Sequence, residues 1–456
     1  MARISDNPSV ESYFVNTLVG ITIAAVLLVV FLHLRDRGRI GLRRATAKDV
    51  IGGVLIVSAW AYGVVPNYLN VANSQRTASI TYKAQAITGL GQTMGQLFLI
   101  STALCAFALI VMTIRDKGPA RHAGLVLLIA PFVALTASGI LAGGGYTIYV
   151  LIYPLAILAL WRAQLPLQSL SLIGWLTLAL AVFSLVLGYT NPEVGTTDAP
   201  IVGDKVAWSS LLAGPHSHPN VLGLALAAGL PFMWLVRFNT VKWAGIPLLA
   251  WAIVWSGNRN SILAAGVVLV AWLILRRTKS VRWLAVPAAI GAGLVFLTPL
   301  TSEDASDYSY RGQIWSGTFR LWEANPWLGG GPRFFQLTAQ YRSELGQTAF
   351  SGHNAFVHTL ATGGLITVAL VTVLMIYAFK RSMNLAGDRT IPLLFLLGVV
   401  FNSWLQNPAV LSSVDVMSYT YWVPLAVILF LPTRQESDSD ESRGVDAGSH
   451  PLMSKR

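Results

Sequence analysis

Hydrophobic residues in this chain gather into long uninterrupted runs rather than alternating or amphipathic stretches, and the runs recur from residue 15 to residue 431. A helix needs about 20 apolar residues to cross a bilayer core. Thirteen runs approach that length, near 15–34, 50–65, 97–114, 123–141, 146–161, 170–189, 221–236, 243–256, 261–275, 283–299, 354–379, 391–405 and 419–431. The pattern predicts an all-α polytopic transmembrane helical bundle of about 12–13 spans, a single domain over residues 1–432. The first run is too long, and too closely followed by basic residues, for a cleavable leader. Two connections are long, 191–220 and 301–352, and long loops in a compact domain tend to carry function. Residues 433–456 are polar and rich in Ser, Asp and Glu, which predicts a disordered tail.

Composition sharpens this. Of 456 residues 54% are hydrophobic and only 11% charged, against about 25% charged in soluble domains. That excludes an ordinary soluble protein. The net charge of +12 does not point to nucleic acid, because the basic residues cluster beside the apolar runs instead of forming one patch. Threading the chain through thirteen spans puts 23 of the 32 Lys and Arg on one side. By the positive-inside rule that side is cytoplasmic, so the N-terminus lies outside and the C-terminus inside. The single cysteine, Cys105, excludes a disulfide framework and a Cys-based metal site. No Walker-type or GxGxxG phosphate loop is present, which argues against nucleotide chemistry.

The other side collects the residues suited to chemistry: His216, His218, His353 and His358, with Arg259, Arg311, Arg320, Arg333 and Arg342. Arginines placed against the charge rule need a separate reason, and a guanidinium suits phosphate or pyrophosphate oxygens. Arg259 sits in the hairpin Ser256-Gly257-Asn258-Arg259-Asn260-Ser261, at the depth where a charge is costly without a partner. A snorkelling contact with a lipid headgroup is the plainer reading of it. In the large loop, Ile314, Trp315, Thr318, Phe319 and Trp322 recur at helical spacing and predict a short amphipathic helix, either packed as core or presenting aromatic faces to sugar rings. Tyr310 and Arg311 lead into it. His353 precedes the apolar helix 355–378, where the helix N-terminus favours neutral imidazole, the form that accepts a proton. His358 lies five residues on, about 140° around the helix, so the pair does not read as a metal site. His216 and His218 lack an accompanying acidic ligand pattern, so no metal and no cofactor is expected.

At these residues the sequence resembles the O-antigen ligase and polymerase superfamily of membrane glycosyltransferases of the GT-C type. The ligase signature reads here as His353-Asn354, nine residues, Gly364, two residues, Thr367. Gly214-Pro215-His216-Ser217-His218-Pro219-Asn220, the hairpin Arg259, and Tyr310-Arg311-Gly312-Gln313-Ile314-Trp315 before Gly329-Gly330-Gly331 follow the family order. The resemblance implies inverting, metal-independent transfer of a glycan from a polyprenyl-pyrophosphate donor to an acceptor hydroxyl on the outer face of a bacterial plasma membrane. It implies His353 as base and Arg259 and Arg311 on the pyrophosphate, with Arg333, Arg342, His218, Asn220, Asn354, Tyr310 and Trp315 as substrate-binding candidates. A polysaccharide polymerase and a protein O-oligosaccharyltransferase remain alternatives within the family. A polysaccharide or lipid transporter, the reading from another class, predicts polar residues in mid-span, whereas most spans here are uninterrupted.

Overall fold

The computed structural model describes residues 46–73, 88–116, 121–142, 149–198, 210–338, 351–407, 411 and 416–434. The expected first span, Arg342, and the tail beyond residue 434 lie outside them. Each of the other twelve runs falls on a helix. In chain order these are α1 (Ala47–Asn73), α2 (Gly89–Thr113), α3 (His122–Leu141), α4 (Tyr149–Ala163), α5 (Ser171–Thr190), α6 (Pro219–Gly229, prolonged by a 3-10 stretch Leu230–Leu235), α7 (Asn239–Trp255), α8 (Arg259–Thr278) and α9 (Ala285–Thr301). In the large loop comes α10 (Asp307–Trp322), then α11 (Ala355–Met383), α12 (Thr390–Leu405) and α13 (Val416–Phe430). Among the described residues seven helices are long and apolar enough to cross a membrane, and the chain is an all-α multi-pass membrane protein.

Burial separates central helices from peripheral ones. The Leu167–Thr190 segment is 78% buried inside the protein and the α2 window 22%. Accordingly α2 and α3 leave Leu104 and Val126 on the outside, where lipid chains replace protein contacts. In the centre, close approach rests on small residues. A Cβ at Gly174 of α5 would lie 2.6 Å from the Phe232 carbonyl oxygen, so the 3-10 stretch after α6 packs there only against glycine. Phe232 then meets Phe395 of α12, ring centroids 5.3 Å apart.

Among the described residues, Lys48, Arg121, Arg162 and Arg381, all on the side read as basic, pack at helix ends. Arg121 donates to the Phe430 carbonyl and Arg381 to that of Leu431, both at the end of α13. Arg162 donates to the Thr113 carbonyl at the end of α2, and Lys48 pairs with Asp116 just beyond. Cations at helix C-termini satisfy orphan carbonyls and complement the helix dipole. Arg434 and Thr433 are tied to the same region, through the Asn384 carbonyl and a bridge to Leu385. Thr433 and Arg434 thus contact the α11–α12 turn.

Expected to be one rod, α11 is broken at Gly364, which takes φ +65° and ψ −172°. The loop Pro326–Gly331 fills the gap. Gly330 and Gly331 donate to the carbonyls of Ala361 and Thr362, at 2.8 and 2.9 Å, while Leu365 and Ile366 donate to those of Pro326 and Trp327. Ser138 of α3 donates to the carbonyls of both Leu328 and Thr362. Backbone groups freed by the break are thus paired inside protein, the condition for a broken helix in a membrane. A Cβ on Gly364 would overlap the Trp327 carbonyl, so the residue must be glycine on both conformational and steric grounds. Twenty-nine residues also exceed one bilayer crossing. The break leaves Leu365–Met383 as a full span and Ala355–Gly363 as a short entry helix.

Candidate active site at the end of α12

Opposite the basic end, the C-terminal turn of α12 takes hydrogen bonds from two separate segments and a ring contact from a third. The last four carbonyls of a helix have no partner within it. Asn260, in the first turn of α8, donates its side-chain amide to the Asn402 carbonyl at 2.7 Å. Asn354, the N-cap of α11, donates to the Trp404 carbonyl at 2.7 Å. These acceptors are two residues apart on one helix, about 3 Å along its axis. Asn260 follows Arg259 and Asn354 follows His353, so the hairpin arginine and the histidine are anchored to the same helix end. The third segment is the start of α10. The ring of Tyr308 lies 6.5 Å from that of Trp404, and the Tyr308 carbonyl accepts from Arg311 Nη1 at 3.1 Å.

The histidine loop is held from several sides. Asn354 is fully buried. Its Oδ1 accepts from the Val357 amide at 3.0 Å, as an N-cap does. Its Nδ2 donates to Trp404 and also to the Val295 carbonyl of α9, at 2.9 Å. Trp315 is fully buried too, and its indole donates to the Gly352 carbonyl at 2.9 Å. Trp404 in turn donates to Thr298 Oγ1 at 2.9 Å, closing α12 against α9. His353 itself is half-buried, with φ +46° and its amide on Ser351 Oγ at 3.1 Å. A non-glycine residue in the left-handed region is strained, and such strain persists where surrounding bonds over-determine it.

Arg259 occupies the first position of α8 between two buried asparagines, while its own side chain is exposed. Asn258 caps the helix, accepting from the Ser261 amide at 3.4 Å. The Asn258 side chain also donates to the Asn220 carbonyl at 3.0 Å, and the Asn220 amide donates to His218 Nδ1 at 3.0 Å. His218 therefore caps α6 and Asn220 ties that cap to the hairpin, linking the Gly214–Asn220 turn to Arg259. A guanidinium at a helix N-terminus adds positive charge where the dipole already supplies it. Among the described residues it has no hydrogen bond or ion pair to an acidic group. The local field there favours an anion.

The remaining candidates fall as follows. Tyr308, Ser309 and Tyr310 form a left-handed run, with φ of 50°, 62° and 66°, so the regular part of α10 starts at Arg311 and Tyr310 is exposed. The amphipathic helix is packed as core on its Ile314, Trp315 and Thr318 face. Arg333 is exposed and donates to Gln336 Oε1 at 3.3 Å. Arg320 is exposed on α10. His216 is fully buried, its amide on the Ala213 carbonyl at 3.0 Å. Sequence reasoning passed over Asn260, Asn402 and Trp404. Their signal was available as the polar run Asn402-Ser403-Trp404-Leu405-Gln406-Asn407 closing an otherwise apolar helix.

No curated protein and no solved structure gives a match. The family model described as O-antigen ligase matches residues 244–372. That stretch runs from α7 to just past the break in α11, enclosing Arg259, Arg311 and His353 but not the α12 anchor. Over residues 244–372 the chain is similar to the O-antigen ligase family.

Proposed function

We propose that the chain transfers a glycan from a polyprenyl-pyrophosphate donor to an acceptor hydroxyl at the extracytoplasmic face of the plasma membrane. The observation carrying this reading is that Arg259 and His353 each adjoin an asparagine bonded to the end of α12, while Arg311 bonds to Tyr308, whose ring packs on Trp404 there, opposite the basic end of the bundle. The acceptor oxygen attacks the anomeric carbon as the bond from that carbon to the pyrophosphate breaks. The acceptor proton passes to His353, and polyprenyl pyrophosphate leaves. One displacement inverts the anomeric configuration. Arg259 and Arg311 spread the charge growing on the pyrophosphate, the electrostatic task central to such a step. Proton acceptance by a positioned imidazole contributes about 10²–10⁴-fold. Trp315, Asn354 and His218 serve in this reading as positioning residues, since their polar groups are engaged inside the fold.

The test supplies purified protein with a polyprenyl-pyrophosphate glycan, with and without candidate acceptors. Glycan released from the carrier onto an acceptor supports the reading. Longer lipid-linked chains would replace it with polymerisation, and no change in the donor under any condition would refute it.

A further inference from the structure

His358 is left out of the anchoring scheme, yet it touches the same loop. It is buried on the entry segment of α11, and its ring stacks on Phe335, centroids 5.1 Å apart and planes 20° from parallel. Its Nδ1 accepts the Gly352 amide at 3.4 Å. Gly352 directly precedes His353 and gives its carbonyl to Trp315. A Cβ on Gly352 would lie 2.6 Å from the His358 amide nitrogen, so the two backbones are in close contact. A neutral imidazole accepting at Nδ1 carries its proton on Nε2. That Nε2 is buried, with no hydrogen-bond partner among the described residues. A phenylalanine would fill the space without burying an unpaired donor, so the choice of histidine needs another reason.

We infer that His358 is a substrate-binding residue whose Nε2–H donates to an oxygen of the lipid-linked donor. This rests on the transfer reading above. The ring has two duties on opposite edges: Nδ1 holds the amide next to His353, and Nε2–H meets an incoming acceptor oxygen, from either the pyrophosphate or the sugar. A single donor fixed by stacking suits an acceptor-only oxygen and offers nothing to a cation.

Two amide side chains separate the duties. Gln places its terminal nitrogen as many bonds from the backbone as Nε2, and Asn places its acceptor oxygen where Nδ1 lies. The experiment measures transfer kinetics of His358→Gln, His358→Asn and His358→Phe, and the binding of bare polyprenyl pyrophosphate and of the glycan-loaded donor. Thermal unfolding in detergent confirms that each variant is folded. Gln should keep kcat/KM within about threefold, while Asn and Phe lose about 10- to 100-fold, the range for a lost buried hydrogen bond. Weakened binding of both lipids assigns the oxygen to the pyrophosphate, and of the loaded donor alone to the sugar. Full activity in Asn with loss in Gln would overturn the inference in favour of loop support. Equal values in all three variants, whether high or low, would overturn it as well. A wild-type chain that neither binds nor turns over the donor would sink the transfer reading itself.

Discussion

Asn354 supplies to Val295 the hydrogen bond that Pro299 cannot. In an unbroken helix the Val295 carbonyl would accept from the amide four residues on, but that residue is proline and has no N–H. The side-chain amide of Asn354 takes the acceptor at 2.9 Å and the orphan carbonyl of Trp404 at 2.7 Å with its other hydrogen. One residue thus repairs a helix defect, closes a helix end and caps a third helix beside His353.

Asn354→Ala should therefore cost about 3 kcal/mol, from three lost hydrogen bonds at about 1 kcal/mol each. Asn354→Asp should be worse, since it keeps the cap but turns an acceptor toward two carbonyls. Thermal unfolding in detergent ranks them; an aspartate variant as stable as wild type would contradict the arrangement.

The break in α11 separates two glycine-to-alanine changes. Gly364→Ala introduces a Cβ into the Trp327 carbonyl at positive φ and should lower stability by more than 1 kcal/mol. Gly266 is in α8 with open space around it, and Gly266→Ala should raise stability by up to about 1 kcal/mol. The sign of the change in melting temperature checks both.

His353→Ala should reduce glycan transfer at least 100-fold while leaving the melting temperature within a few degrees of wild type. Retained activity in a folded variant would remove the histidine from the chemistry.

Arg259→Lys and Arg311→Lys preserve charge but lose planar two-point contact, so turnover should fall in each while insertion is unaffected. Arg320→Lys, on the exposed side of α10, should leave turnover unchanged. Initial rates at saturating donor discriminate the three.

Transfer should persist in excess EDTA, because the proposed step gives guanidinium groups the task of a divalent cation on the leaving group. Loss of activity with recovery on adding magnesium would call for a metal.

The helices were readable because an apolar run of bilayer length leaves the backbone no other solution. The histidine and arginine positions stood out because charge and imidazole are rare against such a background. The joints were not readable in the same way. Glycine inside a membrane helix is common enough that Gly364 gave no sign of a break, and its partners, Pro326–Gly331, lie more than thirty residues away. The α12 anchor went unnoticed because neutral asparagines carry no charge signal, and what they grip is backbone carbonyl, which every residue has. Tyr308–Tyr310 fit a helical pattern by residue type, yet their backbone is left-handed where the Tyr308 ring packs on Trp315 and Trp404.

The wedge between the two pieces of α11 precedes them in the chain. By the time Gly364 emerges during synthesis, the Pro326–Gly331 strip and Ser138 already exist, so the interruption can be sealed on arrival and need not wait for any later segment. Cutting that strip out would present bare amides and carbonyls to hydrocarbon, and the damage would surface as failed insertion rather than as a slower enzyme.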